Sequence, residues 1–142
     1  MNLLKYVTTS IAIVCLASIL AGCGGSINTP EGVVQKQINA LKKLDINALM
    51  ATVDVDETSR KEIISDFARI PEKNKKALMT VAGHIKIISS EIKEDKAIVV
   101  VSVPAPGRGE DLFNLKELRK KEIRLVNKNG KWLTQFWFDL AG

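Results

Sequence analysis

The chain has 142 residues, of which 21 are lysine or arginine and 16 are aspartate or glutamate, giving a formal net charge of +5. That length fits one domain with a core of its own and leaves little room for two. The positive charge is mild and mixed rather than gathered in blocks, so it suits a soluble protein beside an anionic surface without requiring one.

The first 22 residues have the layout of a secretory signal. A short positive start, Met1 to Lys5, precedes an uncharged and largely apolar run over residues 6–20, and small residues follow. The apolar run is shorter than the ~20 residues that a membrane-spanning helix needs. We therefore expect a signal segment rather than a transmembrane helix.

The end of this segment, Leu20-Ala21-Gly22-Cys23, resembles the lipobox of bacterial lipoprotein precursors. In that class the cysteine thiol receives a diacylglycerol and a peptidase cleaves before the cysteine. The resemblance implies that residues 1–22 are a signal peptide and that Cys23 carries covalent lipid, including palmitate. An ordinary signal peptide with an incidental cysteine, or an uncleaved anchor, is the alternative.

Lipid on Cys23 implies a cell-envelope location. Gly24, where an inner-membrane retention signal has aspartate, implies the outer membrane facing the periplasm if the source is Gram-negative, and the cell membrane if it is Gram-positive. Residues 23–28 predict a short flexible tether, and residues 29–142 a single domain. The two cysteines are Cys15 and Cys23, so the domain is expected to rely on packing, without disulfides or cysteine metal ligands.

Apolar residues at helical spacing predict helices in the first half of the domain. Thr29 and Pro30 predict the start of the first helix, and Asp45 the cap of a short second one. A third helix is predicted over residues 59–70, and helical character resumes over residues 72–82 after Pro71 interrupts it.

Strands are predicted in the second half. Residues 84–92 favour a strand with a bulge or bend between Ile87 and Ile88, and β-branched residues 97–103 favour a central strand covered on both faces. Residues 104–109 are expected to form a loop, while residues 112–120 fit either a helix or an irregular strand entry.

The last predicted hairpin has strands over residues 122–127 and 132–140, joined by Lys128-Asn129-Gly130. Its second strand is expected to present aromatic and apolar side chains on one face, namely Trp132, Phe136, Phe138 and Leu140. Helices followed by antiparallel strands predict an α+β fold, with N-terminal helices packed on a sheet of about four strands. The lack of crossover helices argues against a parallel nucleotide-binding sheet.

Two segments resemble a known superfamily. Residues 29–34, 40–45 and 48–49 are similar to the opening of small bacterial lipoproteins with a nuclear transport factor 2-like, cystatin-like domain of unknown function. Residues 125–132 are similar to their strand, Asn/Asp-Gly-Lys-Trp, strand ending. The resemblance implies a curved antiparallel sheet wrapped around the helices as a cone with an open mouth.

The same superfamily includes ketosteroid isomerases and polyketide cyclases, so catalysis must be considered. An isomerase of that type needs a carboxylate base and a tyrosine, and the single tyrosine, Tyr6, lies in the signal segment. The single histidine, His84, lies at a predicted helix-to-strand junction, where a solvated or packing role is favoured. One histidine with scattered acids is also a poor basis for a zinc site, so no metal is expected.

Some residues remain candidates for a cavity or a ligand contact. Glu91, Glu122 and Asp139 are strand carboxylates that could reach a cone interior, although outward-facing positions are favoured. In the predicted strand over residues 132–140, Trp137 points to the face opposite to its aromatic neighbours. It is therefore either exposed, where it could contact a partner, or, as we favour, packed against other side chains of the domain. His84 completes the set.

Two basic stretches are Lys73, Lys75 and Lys76, and residues 116–124. A solvated charged face is favoured for each over contact with anionic head groups or cell-wall polymer. No nucleic-acid partner is expected, because no such motif accompanies them and export removes that partner.

The sequence therefore predicts a membrane-anchored envelope lipoprotein whose domain is a non-catalytic binding or scaffolding module for a protein or small ligand. No cofactor is expected beyond the lipid on Cys23. The alternative is a small envelope enzyme or ligand carrier that uses the cone cavity.

Overall fold

The computed structural model describes residues 28–138. The signal segment, Cys23, nearly all of the tether, Asp139 and Leu140 lie outside these residues. The elements in chain order are α1 (Pro30–Lys42), α2 (Ile46–Met50), α3 (Glu57–Arg69), α4 (Glu72–His84), β1 (Lys86–Lys93), β2 (Lys96–Pro106), β3 (Phe113–Lys128) and β4 (Lys131–Thr134).

Three of the helices begin at a side chain that accepts a hydrogen bond from a main-chain N–H three residues later. These caps are Thr29 for α1, Asp45 for α2 and Asp56 for α3. The first two were predicted, whereas α3 begins before the predicted residue 59 because Asp56 satisfies the otherwise unpaired N–H groups of its first turn. α4 begins after Pro71, as predicted, and extends to His84.

The four strands form one curved antiparallel sheet in the order β1-β2-β3-β4, so each strand pairs with its neighbours in sequence. The predicted α+β class is confirmed. The register of β1 shifts between Ile87 and Ser89, which confirms the bulge. Asn129 and Gly130 have φ of 54° and 80°, as a two-residue hairpin with both central residues in the left-handed region requires.

One face of the sheet packs against the helices. α1 contributes Val33, Val34 and Ile38 to a cluster with buried residues of β2, β3 and β4. Ile87 of β1 packs against this cluster. Its other members, from the α4–β1 connection and from the sheet, are Ile85, Ala97, Val99, Val101, Ile123, Leu125 and Trp132. This cluster therefore lies between α1 and one face of the sheet.

The prediction that β2 is covered on both faces is wrong. Val99 and Val101 are fully buried, whereas Ile98 and Val100, which point to the opposite face, are only half-buried. β-branched side chains favour extended backbone whether or not a second layer covers them, so composition alone did not distinguish the two cases.

The predicted loop over residues 104–109 is too early, because β2 continues to Pro106. The connection between β2 and β3 forms a tight turn at Gly107, whose N–H donates to the carbonyl of Leu112 at 2.9 Å. A Cβ at Gly107 would lie 2.0 Å from the carbonyl oxygen of Asp111, so the close approach needs glycine. The ambiguous residues 112–120 are mostly strand, and they belong to the 16-residue β3.

The last strand is shorter than predicted. β4 ends at Thr134, and Phe136, Trp137 and Phe138 follow it in irregular backbone. The chain leaves the strand path because Trp137 is held elsewhere: its indole N–H donates to the side chain of Gln37, and its carbonyl accepts from Lys121. The shared face predicted for these aromatic residues therefore does not come from strand alternation.

Within residues 28–138, none of the helices has the length and apolar character needed to cross a bilayer.

Candidate binding groove

An open groove of about 860 Å³ lies between α3, the middle of β3 and the segment that follows β4. α3 supplies one wall and the aromatic segment 136–138 the other, and β3 forms the floor. The lining residues are Ile63, Asp66, Ile70, Lys121, Glu122, Ile123, Arg124, Gln135, Phe136, Trp137 and Phe138.

The walls of the groove are largely apolar. Ile63 lies on α3 and Ile70 follows the last residue of that helix in extended backbone, and each remains half-buried. Phe136 and Phe138 face each other edge-on with ring centroids 6.3 Å apart. Phe138 is buried, whereas Phe136 is half-buried like the two isoleucines, so apolar surface on both walls stays partly open to a ligand.

Four charged side chains form the rim: Asp66, Lys121, Glu122 and Arg124. All four are exposed, so water hydrates their charges. The ammonium of Lys121 donates to the carbonyl of Trp137 at 2.7 Å and lies 5.9 Å from the centroid of its ring. This contact ties the aromatic segment to the floor.

A buried hydrogen-bond network fixes Trp137 from the other side. The indole N–H of Trp137 donates to Oε1 of Gln37 at 2.6 Å. Nε2 of Gln37 donates to the hydroxyls of Thr52 and Thr134 at 2.9 and 2.8 Å. Gln37, Thr52 and Thr134 are at most 3% exposed. Since buried polar groups are costly unless paired, this network holds the aromatic wall in one place.

The structure brings together two of the predicted candidates and separates two others. Glu122 and Trp137 both line the groove. His84 does not; it is exposed at the end of α4, with Nδ1 2.8 Å from the carbonyl of Thr80. Glu91 is exposed on β1, also away from the groove. Asp139 follows the last described residue.

Sequence reasoning missed the α3 wall and the network. The apolar spacing over residues 59–70 predicted a helix, and nothing in that spacing showed that Ile63 and Ile70 stay partly open. A signal for Gln37 was present, because a glutamine stood in the apolar stripe formed by Val33, Val34, Ile38 and Leu41. An amide at such a position indicates a buried partner.

The edge of β3 also faces the groove. β4 pairs only with residues 125–128 of β3, and among residues 28–138 no other strand pairs with this side of β3. Beyond β4, one more hydrogen bond joins the chain to β3: the N–H of Gln135 donates to the carbonyl of Arg124 at 3.2 Å. The chain then departs, which leaves the edge of β3 before Arg124 open.

These groups can bury apolar surface, pair with charges of either sign and offer main-chain hydrogen bonds. Among the described residues, no cluster of three or more histidine, cysteine, aspartate or glutamate side chains is arranged to hold a metal ion.

No protein-family model matches this sequence, and no curated protein matches it. Among solved structures, the chain is similar to a Campylobacter jejuni protein proposed to be an NTF2-like transpeptidase, with a TM-score of 0.45 and 18% identity over 77% of this chain and 99% of that one. It is also similar to a SEC-C motif-containing protein from Rhodopseudomonas palustris, with a TM-score of 0.45 and 13% identity over 78% of each chain. At these scores neither similarity assigns an activity, ligand or partner to this chain.

Proposed function

We propose that the protein is a membrane-anchored envelope lipoprotein whose domain is a non-catalytic binding module, with the groove as its binding site. The anchor rests on the lipobox resemblance of residues 20–23. The binding role rests on the structure of the groove, and the two parts are tested separately.

The observation that carries the binding role is the fixed aromatic wall. Trp137 is held by Gln37 on one side and by Lys121 on the other. A ligand that packs against this wall does not have to order it first, so less of the binding free energy is lost to conformational entropy. Partly open apolar walls with a charged rim are typical of surfaces that bind a partner.

Binding is favoured over catalysis by where the titratable groups lie. General acid–base catalysis needs a group within hydrogen-bond reach of the reacting atoms, and commonly a partner that orients it. Asp66 and Glu122 lie at an exposed rim, and His84 lies outside the groove. The rim charges are therefore suited to pairing with a ligand and to setting its orientation.

Site-specific photocrosslinking in the native envelope tests this function. A photoreactive amino acid at Ile70, which lines the groove, should give a defined adduct in the full lipidated chain. The matched control is Ala68, which lies two residues earlier at the end of α3, is exposed and does not line the groove. Equal adducts at both positions, or none at Ile70, would contradict the proposal, and turnover of the captured molecule would favour an enzyme.

A further inference from the structure

The direction of the main chain in β3 can be assigned residue by residue. The carbonyl of Arg124 accepts a hydrogen bond from the β4 side of the strand. In an antiparallel strand every second residue points both its N–H and its C=O to the same side. Glu122, Lys120 and Leu118 therefore direct their main-chain groups toward the open side, while Ile123 and Lys121 direct theirs toward β2.

This open edge has defined ends. At one end the chain that follows β4 leaves the edge of β3 after Gln135. At the other end the register with β2 jumps, since Pro104 lies opposite Leu118 but Ala105 lies opposite Asn114. A bulge of this kind interrupts strand pairing. The regular open edge therefore covers residues 118–123, which is enough for a strand of about five residues.

Part of this edge is recessed in the groove. Lys121, Glu122 and Ile123 form its floor, with α3 on one side and the aromatic segment on the other. A strand laid along the edge would place alternate side chains toward the core side of the sheet, between Ile70 and the aromatic segment. The remaining side chains would point to the opposite face.

The main-chain groups of the edge indicate which occupant fits. The two acids and two bases of the rim are joined along the open edge by Arg119 and Lys120, so this surface is basic with acids interspersed. A polyanion offers hydrogen-bond acceptors alone and would leave the exposed carbonyls of the edge unpaired. A peptide main chain carries both donors and acceptors, so it matches the N–H and C=O groups of the open edge.

We propose that the open edge of β3 binds an extended peptide segment of a protein partner, with apolar side chains at alternate positions, as an added strand that continues the ladder begun by β4. This inference rests on the proposed function, because it names the ligand class of the same groove. The length of the segment is set by residues 118–123.

The first test identifies the adduct formed by the photoreactive residue at Ile70 in the full lipidated chain in its own envelope. The expected adduct is a single contiguous peptide of another protein. An adduct with a lipid or another small molecule would overturn the peptide proposal while leaving the binding function intact. An adduct with a second copy of this chain, or with its own residues 139–142, would overturn it as well.

The second test removes one main-chain donor without relying on side chains. Lys120→Pro deletes an N–H that faces the open edge, and Lys120→Ala keeps that N–H while deleting the same charge. Adduct yield should fall several-fold in Lys120→Pro relative to Lys120→Ala. Equal yields from two variants that melt at the same temperature would overturn strand addition.

If Lys120→Pro melts lower than Lys120→Ala, hydrogen exchange replaces it as the deciding measurement. This measurement uses the adduct formed through Ile70 in a chain that keeps Lys120. The main-chain amides of Lys120 and Glu122 should exchange several-fold more slowly in that purified adduct than in the free chain. Unchanged exchange at both amides would overturn the proposal. The absence of any adduct at Ile70 would overturn the proposed function as well, so the two failures are distinguishable.

Discussion

Gln37 lies on the buried face of α1, and its side-chain amide is hydrogen-bonded at both ends. The nitrogen donates to Thr52 and Thr134, and the oxygen accepts from Trp137. One residue thereby joins the first helix, the end of α2, the last strand and the aromatic wall of the groove. Its role is to specify one arrangement of these elements as well as to stabilise it.

We predict that Gln37→Leu lowers the free energy of unfolding by about 2 kcal/mol, because a buried indole N–H and two hydroxyls lose a partner. Gln35→Leu is the matched control, since Gln35 is only half-buried and bonds Asn39 within the same helix. It should change stability by about 0.5 kcal/mol or less. Urea unfolding followed by tryptophan emission measures both, and equal losses would contradict a special role for Gln37.

Two glycines allow a comparison at the residue scale. A Cβ at either Gly83 or Gly130 meets nothing within 4 Å, but Gly130 has a φ of +80° whereas Gly83 lies in α4. Gly130→Ala should therefore destabilise the protein by about 1 kcal/mol through backbone strain. Gly83→Ala should stabilise it by about 0.5 kcal/mol, because alanine favours helix. Thermal unfolding of the two variants should shift in opposite directions, and shifts of the same sign would refute this explanation.

At the scale of elements, α3 forms one wall of the groove and depends on its cap. Asp56 accepts hydrogen bonds from the N–H and the hydroxyl of Ser59 at 2.8 and 2.9 Å. The main-chain bond first, and the hydroxyl second, hold the pKa of Asp56 below its ordinary value of 3.8. Because the carboxylate is favoured in the folded state, its contribution is present above the unfolded-state pKa and is lost as pH falls through the folded-state pKa.

The lowered pKa of Asp56 predicts how the stability of a cap variant changes with pH. Asp56→Asn keeps a capping side chain but loses the charge, so it should be less stable than the wild type at pH 6. The difference in unfolding free energy should shrink as pH falls below about 4. Glu62→Gln, an exposed carboxylate in the middle of the same helix, is the control. A difference that grows on acidification would show that Asp56 acts in another way.

Elements with strong local signals were predicted from the sequence, and those decided by tertiary contacts were not. The residue types alone favour helix caps at Thr29 and Asp45 and a hairpin turn at Asn129-Gly130, and the structure contains all three. The end of β4 is different, because the aromatic residues after Thr134 favour a strand locally. Contacts with Gln37 and Lys121, distant in sequence, override that preference.

The groove, too, was predicted only in the parts that residue type indicates, and not in the part that tertiary contacts decide. Glu122 was a candidate as a strand carboxylate and Trp137 from its position in the predicted strand, and both line the groove. The α3 wall was not predicted, since an apolar helical stripe has the same spacing whether it packs fully or stays partly open. Only the placement of α3 relative to β3 distinguishes these cases, and no local pattern encodes that placement.

At the scale of the whole molecule, the proposed function requires the groove to be held near a membrane. Six residue steps separate Cys23 from Thr29, which caps α1. Fully extended, that tether spans at most ~20 Å. A lipid on Cys23 would therefore keep the domain close to the bilayer surface while allowing it to reorient toward a partner in the same envelope.

A domain tethered in this way should fold without its anchor. We predict that residues 26–142, expressed without the signal, form a soluble domain that unfolds in one cooperative transition, because one core joins α1 to all four strands. Circular dichroism and urea unfolding check this expectation. A product that needs detergent, or that unfolds in separate steps for helices and sheet, would contradict it.

The anchor itself is tested by the cysteines. Cys23→Ser removes the thiol that the lipobox resemblance assigns to lipid, so the full chain should incorporate no labelled palmitate and should remain as the larger precursor. Cys15→Ser changes the other cysteine, inside the apolar run, and should be labelled and processed like the wild type. Normal labelling and cleavage of Cys23→Ser would refute the anchor while leaving the groove open to test.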